Sequence, residues 1–470
     1  MKREDILTAL EEISDKHIAE AEKPPKKRTF LKLVAAAAVI AIGVNLFSGP
    51  ALITAYAVTT PSEPRIMERP SSGIYIDDEE YMAAWDAWDA ENDLRNETTA
   101  QAMSNLRTFF IEGNSQFLQT EQNENKIWSP INVYIGLAMT TELTEGETKQ
   151  QVLDVFGVEN TDELRKQVSA VWESVYQDDS NQICKLANSL WLEEGLEYNE
   201  EAMDALGYYY YASVYQADLG SNRTNKDIAG WINNNTGKFL EDSTKNIALD
   251  PDTIMALYST LYFQARWSDE FLEDYNTKAP FYMPEGETQA VYMNHKLSMM
   301  DYYWGENFSA VNLYLRNGCD MWFILPDEGM TVEDVLANGT YMDMVLSNTW
   351  ENSKYMKVNL SVPKFDIGST TNLSSGLKEM GITNIFDPFE AEFSNLTWDS
   401  PLWLTGANQA VRVQIDEEGV KAAAYIEING AGSAEPPEEI IDFVLDRPFL
   451  FVITNGNVPL FVGCVNNPTS

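Results

Sequence analysis

Histidine and cysteine are scarce in this chain of 470 residues, which contains two histidines and three cysteines. A histidine-based zinc site or an H-E-x-x-H protease is excluded, and a Ser-His-Asp triad would have to use His295, because His17 lies in the charged N-terminal segment. The cysteines are Cys184, Cys319 and Cys464, and no two of them form a C-x-x-C pair, which excludes redox and zinc-ribbon motifs. We interpret them as small buried side chains. We therefore expect no metal and no cofactor.

Positive charge is also scarce, since 32 Lys and Arg residues stand against 73 Asp and Glu residues, a formal net charge of −41. Nucleic-acid binding needs a basic surface that displaces counterions, so the composition argues against a nucleic-acid partner. Paired carboxylates are too frequent to be informative and belong mostly to a solvated surface. An extracellular glycosidase is a weak alternative, because acids and tryptophans are abundant.

One long stretch carries no charge at all. It runs for 26 residues from Leu33 to Val58, long enough to cross a hydrocarbon core, and follows the basic run Lys26-Lys27-Arg28…Lys32. This flank predicts a single-pass signal-anchor (33–58) with a cytoplasmic segment (1–32) and an exported C-terminal domain at the cell surface. Ala55-Tyr56-Ala57 also resembles a cleavage site, so a secreted protein with a long signal peptide is the alternative.

An acidic linker is predicted next, over residues 59–97. It contains three prolines, serine-rich patches and the run Asp77-Asp78-Glu79-Glu80, a composition typical of linkers. The segment with Trp85 and Trp88 is interpreted as a partly ordered tether, with an amphipathic helix docked on the domain as the alternative. The globular domain is predicted to cover residues 98–470, and its apolar content is sufficient for a sizeable core.

Within that domain, a connection of about twenty residues, from Asp416 to Pro437, separates strand-like segments. Ala410 to Ile415 alternates apolar and polar residues before it, and Ile440 to Val444 is apolar after it. Gly419 permits a hinge, and the tip from Gly430 to Ala434 is small and of the kind that proteases enter. Taken alone, the stretch is typical of a mobile surface loop.

Motifs around this loop and along the whole domain carry a more specific signal. The loop starts Asp416-Glu417-Glu418-Gly419 and continues with Ala422-Ala423-Ala424. Other motifs are Ser129-Pro130, Leu186 to Trp191, Leu257 to Trp267, Val362 to Phe365 and Pro459 to Pro468. In this order, over about residues 105–468, they resemble the serpin family of serine protease inhibitors.

The resemblance implies an α+β serpin fold with a large central mixed β-sheet, further sheets, about eight or nine helices and an exposed reactive loop. It implies no enzyme activity of its own. A target serine protease cleaves the loop, remains bound as an acyl-enzyme, and is trapped when the freed loop inserts into the sheet. We expect a bacterial, membrane-anchored monomer whose partner is that protease.

The same resemblance assigns loop residues. The hinge comprises Glu417, Gly419, Val420 and Ala422, Ala423 and Ala424, small or apolar where insertion requires it. Counting on from the hinge glycine as in the family places the reactive bond at Ser433–Ala434. No Lys or Arg occurs from Ala422 to Asp446, so elastase-type enzymes with a small pocket are the expected targets.

The resemblance also assigns four polar residues to a cluster beneath the part of the sheet that opens; they are Ser129, Asn132, Ser259 and Asn408. It assigns Trp267 to the top of the sheet, where the reactive loop enters. Three of the polar residues depart from the usual family residues, which leaves the ease of sheet opening in doubt. A non-inhibitory serpin that serves as a surface binding scaffold therefore stays open, although only Lys421 departs from the hinge pattern.

Overall fold

A computed structural model describes residues 51–54, 79–119, 124–178, 182–245, 247–347, 349–398, 401–420 and 439–469. Of the predicted features, the segment 1–32, most of the apolar span and most of the reactive loop lie outside these residues. The described residues form an α+β fold with one large mixed sheet and a second sheet, which confirms the predicted class.

Eleven α-helices, more than the eight or nine expected, occur in the part of the chain that the structure describes. They are α1 (Glu79–Asn105), α2 (Arg107–Phe117), α3 (Pro130–Thr140), α4 (Gly146–Val155), α5 (Thr161–Val175), α6 (Glu200–Tyr210), α7 (Asn222–Asn235), α8 (Glu241–Thr244), α9 (Val332–Asn338), α10 (Thr340–Ser347) and α11 (Ser374–Glu379).

The large sheet, called sheet A, contains eight strands in the order β1-β5-β4-β6-β14-β13-β12, with β3 paired to β4. Its strands are β1 (Ala51–Thr54), β3 (Gln177–Asp178), β4 (Gln182–Glu193), β5 (Ala212–Ala217), β6 (Met255–Arg266), β12 (Phe365–Asn372), β13 (Asn408–Ile415) and β14 (Gly419–Val420). Only β4 and β5 pair in parallel among these strands, so the sheet is mixed.

The second sheet, sheet B, contains nine strands in the order β15-β11-β8-β9-β10-β16-β17-β2, with β7 paired to β8. Its strands are β2 (Lys126–Trp128), β7 (Thr277–Met283), β8 (Gly286–Trp304), β9 (Phe308–Tyr314), β10 (Cys319–Pro326), β11 (Ser353–Pro363), β15 (Ile440–Val444), β16 (Phe449–Asn455) and β17 (Val458–Val465). Strands β16 and β17 are buried almost throughout, as their continuous apolar runs predict.

The main core contains buried residues of both sheets and of the helices that pack on them. Strand β13 alternates half-buried and buried residues, so Val411, Val413 and Ile415 face this core. A smaller core lies on the opposite face of sheet A, where Ile228 and Ile232 of α7 pack near Trp191. Helix α7 thus covers β4 and β6.

Helix α1 crosses the predicted boundary between linker and domain at residue 97. Its partly buried positions recur at helical spacing, at Trp88, Asn92 and Arg95, and are followed by the buried Thr99 and Ala102. The helix packs against α5, and Arg95 lies 3.9 Å from Glu173 of that helix. The face that docks is largely polar, which is why its periodicity does not stand out in the sequence.

Strand β1 corrects the predicted extent of the apolar span. Ala51 and Leu52 pair in antiparallel fashion with Gln216 and Tyr215 of β5 at the edge of sheet A. A backbone paired in this sheet does not lie in a membrane helix, so residues 51–54 are not part of one, while the rest of the predicted span from Leu33 to Val58 lies outside the described residues. In the described part of the chain, no helix is long and apolar enough to cross a bilayer.

Candidate functional site at the base of the loop

The chain reverses direction directly after β13. Asp416 holds the reversal, because its Oδ1 accepts hydrogen bonds from the backbone N–H groups of Glu418 (3.0 Å) and Gly419 (3.3 Å). Its own N–H donates to the Gly419 carbonyl over 3.0 Å. This is the local pattern by which aspartate stabilises turns. Strand β14 therefore runs antiparallel to β13, back into sheet A.

Gly419 occupies a position that only glycine fits. Its φ is +155°, and an added Cβ would lie 2.3 Å from the Ala265 carbonyl oxygen. A real Cβ cannot approach an oxygen so closely, so a side chain here would push β14 away from β6. The glycine of the hinge motif thus permits the close approach of two backbones.

Val420 is already part of sheet A in the uncleaved chain. It pairs with Ile415 of β13 and with Ala265 of β6, and its side chain is 4% exposed. The resemblance assigned this residue to the hinge, and the structure places it inside sheet A before any cleavage. Its burial is favourable by roughly 1.5–3 kcal/mol.

Below Val420, the described residues of β6 and β13 pair with β14 but not with each other. A cavity of about 20 Å³ lies there, lined by Phe239, Leu261, Tyr262, Phe263, Arg412, Val413, Gln414, Val420, Ile453 and Phe461. Two neighbouring strands with unpaired facing edges are a template for an added strand. The direction of β14 leads from the hinge toward this cavity.

Glu417 fixes the hinge electrostatically. Its carboxylate accepts from Lys364 Nζ at 2.7 Å and 2.9 Å and from Asn276 Nδ2 at 2.5 Å. The residue is only 8% exposed. Burial acts to raise the pKa of Glu417, but the hydrogen bonds from Lys364 and Asn276 together outweigh it and lower the pKa below 4.5.

The depressed pKa predicts that the hinge loses stability in acid. A group whose pKa is lowered by folding stabilises the folded state above its unfolded pKa, near 4.5, and this contribution is lost as the pH falls through the lower folded value. We expect Glu417→Gln to be less stable than the parent chain at pH 7 and to approach it at pH 3. Unfolding midpoints at both pH values test this; a constant difference would contradict it.

Trp267 and Phe271 hold the hinge backbone. The Trp267 indole Nε1 donates to the Asp416 carbonyl (2.9 Å), and its backbone N–H donates to the Glu418 carbonyl (3.1 Å). The N–H of Phe271 donates to the Glu417 carbonyl over 3.0 Å. Trp267 is 1% exposed, so its ring is a fixed support. The tryptophan assigned from sequence thus lies directly under the turn.

Ser129 lies in a hydrogen-bonded cluster with a residue that sequence reasoning missed. The side chain of Gln409 accepts from Ser129 N–H (2.9 Å) and donates to Ser129 O (3.1 Å). Ser129 precedes α3, yet its hydroxyl does not cap that helix and donates to the Leu460 carbonyl over 2.6 Å. This cluster ties β13, the start of α3 and β17 together.

The other three assigned polar residues are not part of this bonded cluster. Asn408, the first residue of β13, is exposed and pairs with Asn372, the last residue of β12. Ser259 Oγ is buried and has no hydrogen-bond partner among the described residues, while Asn132 lies half-buried on α3. Counting back from Ile415 in steps of two reaches Gln409 on the inner face, which is the signal that could have identified it.

The remaining assigned residues lie outside the described part of the chain. They are Ala422, Ala423, Ala424, Ser433 and Ala434. The described chain resumes at Glu439 and enters β15, which pairs in parallel with β11 of sheet B. The reactive loop therefore starts in one sheet and ends in the other.

The described part of the chain offers no metal-binding cluster beside the hinge. The described residues contain no group of three or more His, Cys, Asp or Glu side chains that could hold a metal ion. The three cysteines are buried as free thiols, and burial raises the pKa of Cys319 to about 12. His295 packs on Phe271, and burial lowers its pKa.

Comparison with known proteins places these features in a family. A family model described as "Serpin (serine protease inhibitor)" matches residues 104–468. The chain is 26% identical to alpha-1-antiproteinase 2 of Equus caballus, over 81% of this chain and 90% of the relative. Native tengpin, a thermophilic serpin, superposes with a TM-score of 0.67 at 23% identity, covering 89% of this chain and 100% of tengpin. Human thyroxine-binding globulin gives a TM-score of 0.64 at 23% identity, covering 80% and 100%.

Proposed function

Because this chain belongs to the serpin family, we propose that it inhibits serine proteases as a suicide substrate and catalyses no reaction of its own. One observation carries the proposal: Gly419 and Val420 already form a strand between β6 and β13. The residues that follow are those of the proposed reactive loop. A chain that has begun to enter the sheet is set to continue once its far end is released.

The chemistry belongs to the protease. Its serine Oγ attacks the Ser433 carbonyl carbon, the bond to the Ala434 nitrogen breaks, and the released amine takes up a proton. The segment from Val420 to Ser433 is then attached to the protease by an ester but is free of β15. Extending β14 between β6 and β13 pairs their facing edges, and this movement carries the protease with it.

Incubation of the purified domain with a panel of serine proteases tests the proposal. We expect a complex that survives denaturing electrophoresis and contains one molecule of each protein. If the loop is never attacked, or is cut without such a complex, the inhibitory function is wrong. A non-inhibitory binding scaffold would then be the better proposal.

The scissile bond is predicted at Ser433–Ala434. The stretch from Ala422 to Asp446 offers no basic side chain, so trypsin-like enzymes have nothing to bind there, and small-pocket enzymes of the elastase type are the proposed targets. Mass spectrometry of the released C-terminal peptide should give Ala434 as its first residue. A first residue outside 432–436 would contradict the assignment.

We also propose that the domain acts as a monomer on the outer face of a bacterial cell. The basic run ending at Lys32 and the apolar residues that follow carry this part of the proposal. Protease treatment of intact cells should release the domain while the segment before Leu33 stays protected. Mature protein that starts at Val58, found in the medium, would instead favour a cleaved signal peptide and secretion.

A further inference from the structure

The chain enters sheet A at the end of the sheet farthest from the hinge. Ala51 pairs with Gln216 of β5, in the row of paired residues that crosses β4 and ends at Met255, the first residue of β6. The last residue of β6, Arg266, pairs with Gly419 of the hinge. At the usual rise per residue, the length of β6 places about 35 Å between these two rows. Whatever precedes Ala51 therefore joins the domain at the end opposite the reactive loop.

No spacer separates this entry point from the proposed membrane anchor. The uncharged stretch starts at Leu33, and residues 51–54 belong to the sheet, so residues 33–50 remain for a span. These eighteen residues are within the range that crosses a hydrocarbon core. The predicted acidic linker follows β1 and cannot lengthen the connection. A domain anchored through residues 33–50 therefore has this end of sheet A against the surface of the bilayer.

Three large aromatic side chains are exposed at the same end of the domain. They lie in the connection between α11 and β13, which reaches sheet A at the end of β13 away from the hinge. Phe389 is 92% exposed, Trp398 is 80% exposed and Trp403 is 42% exposed. The N–H of Leu404 donates to the Ile385 carbonyl over 2.8 Å, so the connection folds back on itself. We call these three aromatic residues the aromatic surface.

Hydrogen bonds join the aromatic surface to the edge of the sheet where the chain enters. Gln216, the partner of Ala51, donates its side chain to the Leu196 carbonyl over 2.9 Å. Asn199, three residues further along the chain, donates its N–H to the Leu396 carbonyl over 2.9 Å. Leu396 is two residues before the first exposed tryptophan, and helix α6, which follows Asn199, contacts β1. The entry point and the aromatic surface are therefore neighbours.

The local backbone presents these rings to solvent. Asp387 Oδ1 accepts from the Phe389 N–H over 2.8 Å, and the Asp387 carbonyl accepts from the Ala391 N–H over 2.9 Å, so a hydrogen-bonded turn holds Phe389 outward. Trp398 directly follows Thr397, which is 4% exposed and fixes the chain before it. Indole and phenyl rings are the side chains that proteins place at the boundary between lipid and water.

Charge decides against a second copy of the chain as the partner of this surface. Glu390 and Glu392 are exposed beside Phe389, and the chain carries a formal net charge of −41, so two free copies repel each other. A bilayer surface is also negative, but the anchor holds it beside the aromatic surface at a high effective concentration. Burial of the rings then provides the favourable term.

We propose that the aromatic surface lies in the interfacial layer of the bilayer that holds the anchor, so that the domain stands on the membrane with its reactive loop directed away from it. This rests on the proposed membrane topology and is independent of the mechanism of inhibition. The length of sheet A then separates the hinge from the lipid. The loop is presented to proteases in the surrounding medium, and not to a membrane-bound protease whose cleft lies close to the lipid.

The test uses the full-length chain in vesicles that consist mostly of phosphatidylethanolamine, with some phosphatidylglycerol and a spin-labelled lipid as quencher. A fluorophore is attached to the added thiol of Trp398→Cys or, as the hinge control, of Leu272→Cys. Leu272 is 57% exposed, and its neighbour Phe271 donates its N–H to the Glu417 carbonyl. The three native cysteines are buried, so the added thiol is the one that reacts. We expect quenching at position 398 to be about fivefold stronger than at position 272.

Further variants test whether the rings themselves make the contact. Phe389→Ser/Trp403→Ser, added to labelled Trp398→Cys, should lower the quenching several-fold while the protein still floats with the vesicles. Tyr275→Ser/Tyr314→Ser is the matched control, because it removes two exposed rings near the hinge, and should leave the quenching unchanged. Added salt should leave the quenching unchanged or strengthen it, because it screens the repulsion between two negative surfaces.

The outcomes separate this proposal from the earlier ones. Full-length protein that does not float with the vesicles would overturn the membrane anchor and the aromatic contact together, and leave the inhibitory function standing. Floating protein with equally weak quenching at both positions would overturn the aromatic contact alone. Cross-linking between chains through Trp398→Cys would show a second copy in place of lipid. Quenching that weakens with salt would contradict an apolar contact.

Discussion

Val420→Glu is expected to change the protein from an inhibitor into a substrate. Val420 lies between β6 and β13 and is 4% exposed, and Arg412, which lines the cavity below it, is already paired with Asp366. An ionised carboxylate without a partner costs several kcal/mol in such a place. Strand β14 would withdraw from the sheet, and insertion would slow relative to hydrolysis of the acyl-enzyme.

The size of the effect follows from the competition between those two steps. Each 1.36 kcal/mol added to the insertion barrier slows insertion tenfold, so several kcal/mol should raise the stoichiometry of inhibition on the order of 100-fold. Denaturing electrophoresis should show cleaved chain and no complex. Val420→Ala, which removes two methyl groups and adds no charge, should retain most of the complex. Undiminished inhibition by Val420→Glu would mean that loop insertion is not the mechanism.

Glu417→Lys is the second change with a large expected effect. The carboxylate now accepts two hydrogen bonds from Lys364 Nζ, and its side chain is 10% exposed. A lysine would set two cations against each other at a nearly buried position. Breaking a fully buried pair typically costs about 3–5 kcal/mol, and the cost here should be smaller because the Lys364 side chain is 35% exposed to solvent. We expect a lower thermal midpoint and a hinge that is no longer fixed beside Asn276.

Two further variants assign this effect to the ion pair. Glu418→Lys makes the same change of charge one residue away, at a half-buried position without an ion pair among the described contacts, and should change the midpoint little. Glu417→Lys/Lys364→Glu restores opposite charges and should recover part of the lost stability. If Glu418→Lys is as harmful as Glu417→Lys, net charge and not the pair is responsible.

The sequence predicts the secondary structure around the site better than the contacts between its residues. Alternation from Ala410 to Ile415 correctly predicts a strand with its inner face on the core, and Gly419 is identified as a special position. The burial of Val420 before cleavage cannot be inferred from the sequence. A strand of two residues shows no periodicity, and the sequence does not indicate that Val420 pairs with Ile415 and with the distant Ala265. Long-range pairing decides the position of β14.

The polar residues show a second limit. Asn408 and Gln409 are adjacent amides, and a shift of one residue moves a strand side chain to the opposite face. Motif matching selected Asn408, whereas the structure places Gln409 beside Ser129. Helix α1 shows a third limit: its docking face includes Asn92 and Arg95, so a search for apolar periodicity misses it.

The pairing of β1 with β5 affects how one molecule meets another. Without β1, the backbone from Val214 to Gln216 would be an open sheet edge, and open edges recruit strands from other chains. Under the proposed insertion mechanism, sheet A accepts one strand in its middle, and an occupied edge prevents strands of other molecules from pairing at its margin. The segment that occupies this margin precedes residue 104, where the family match begins. Domain preparations trimmed to that match would therefore be more prone to self-association than the full chain.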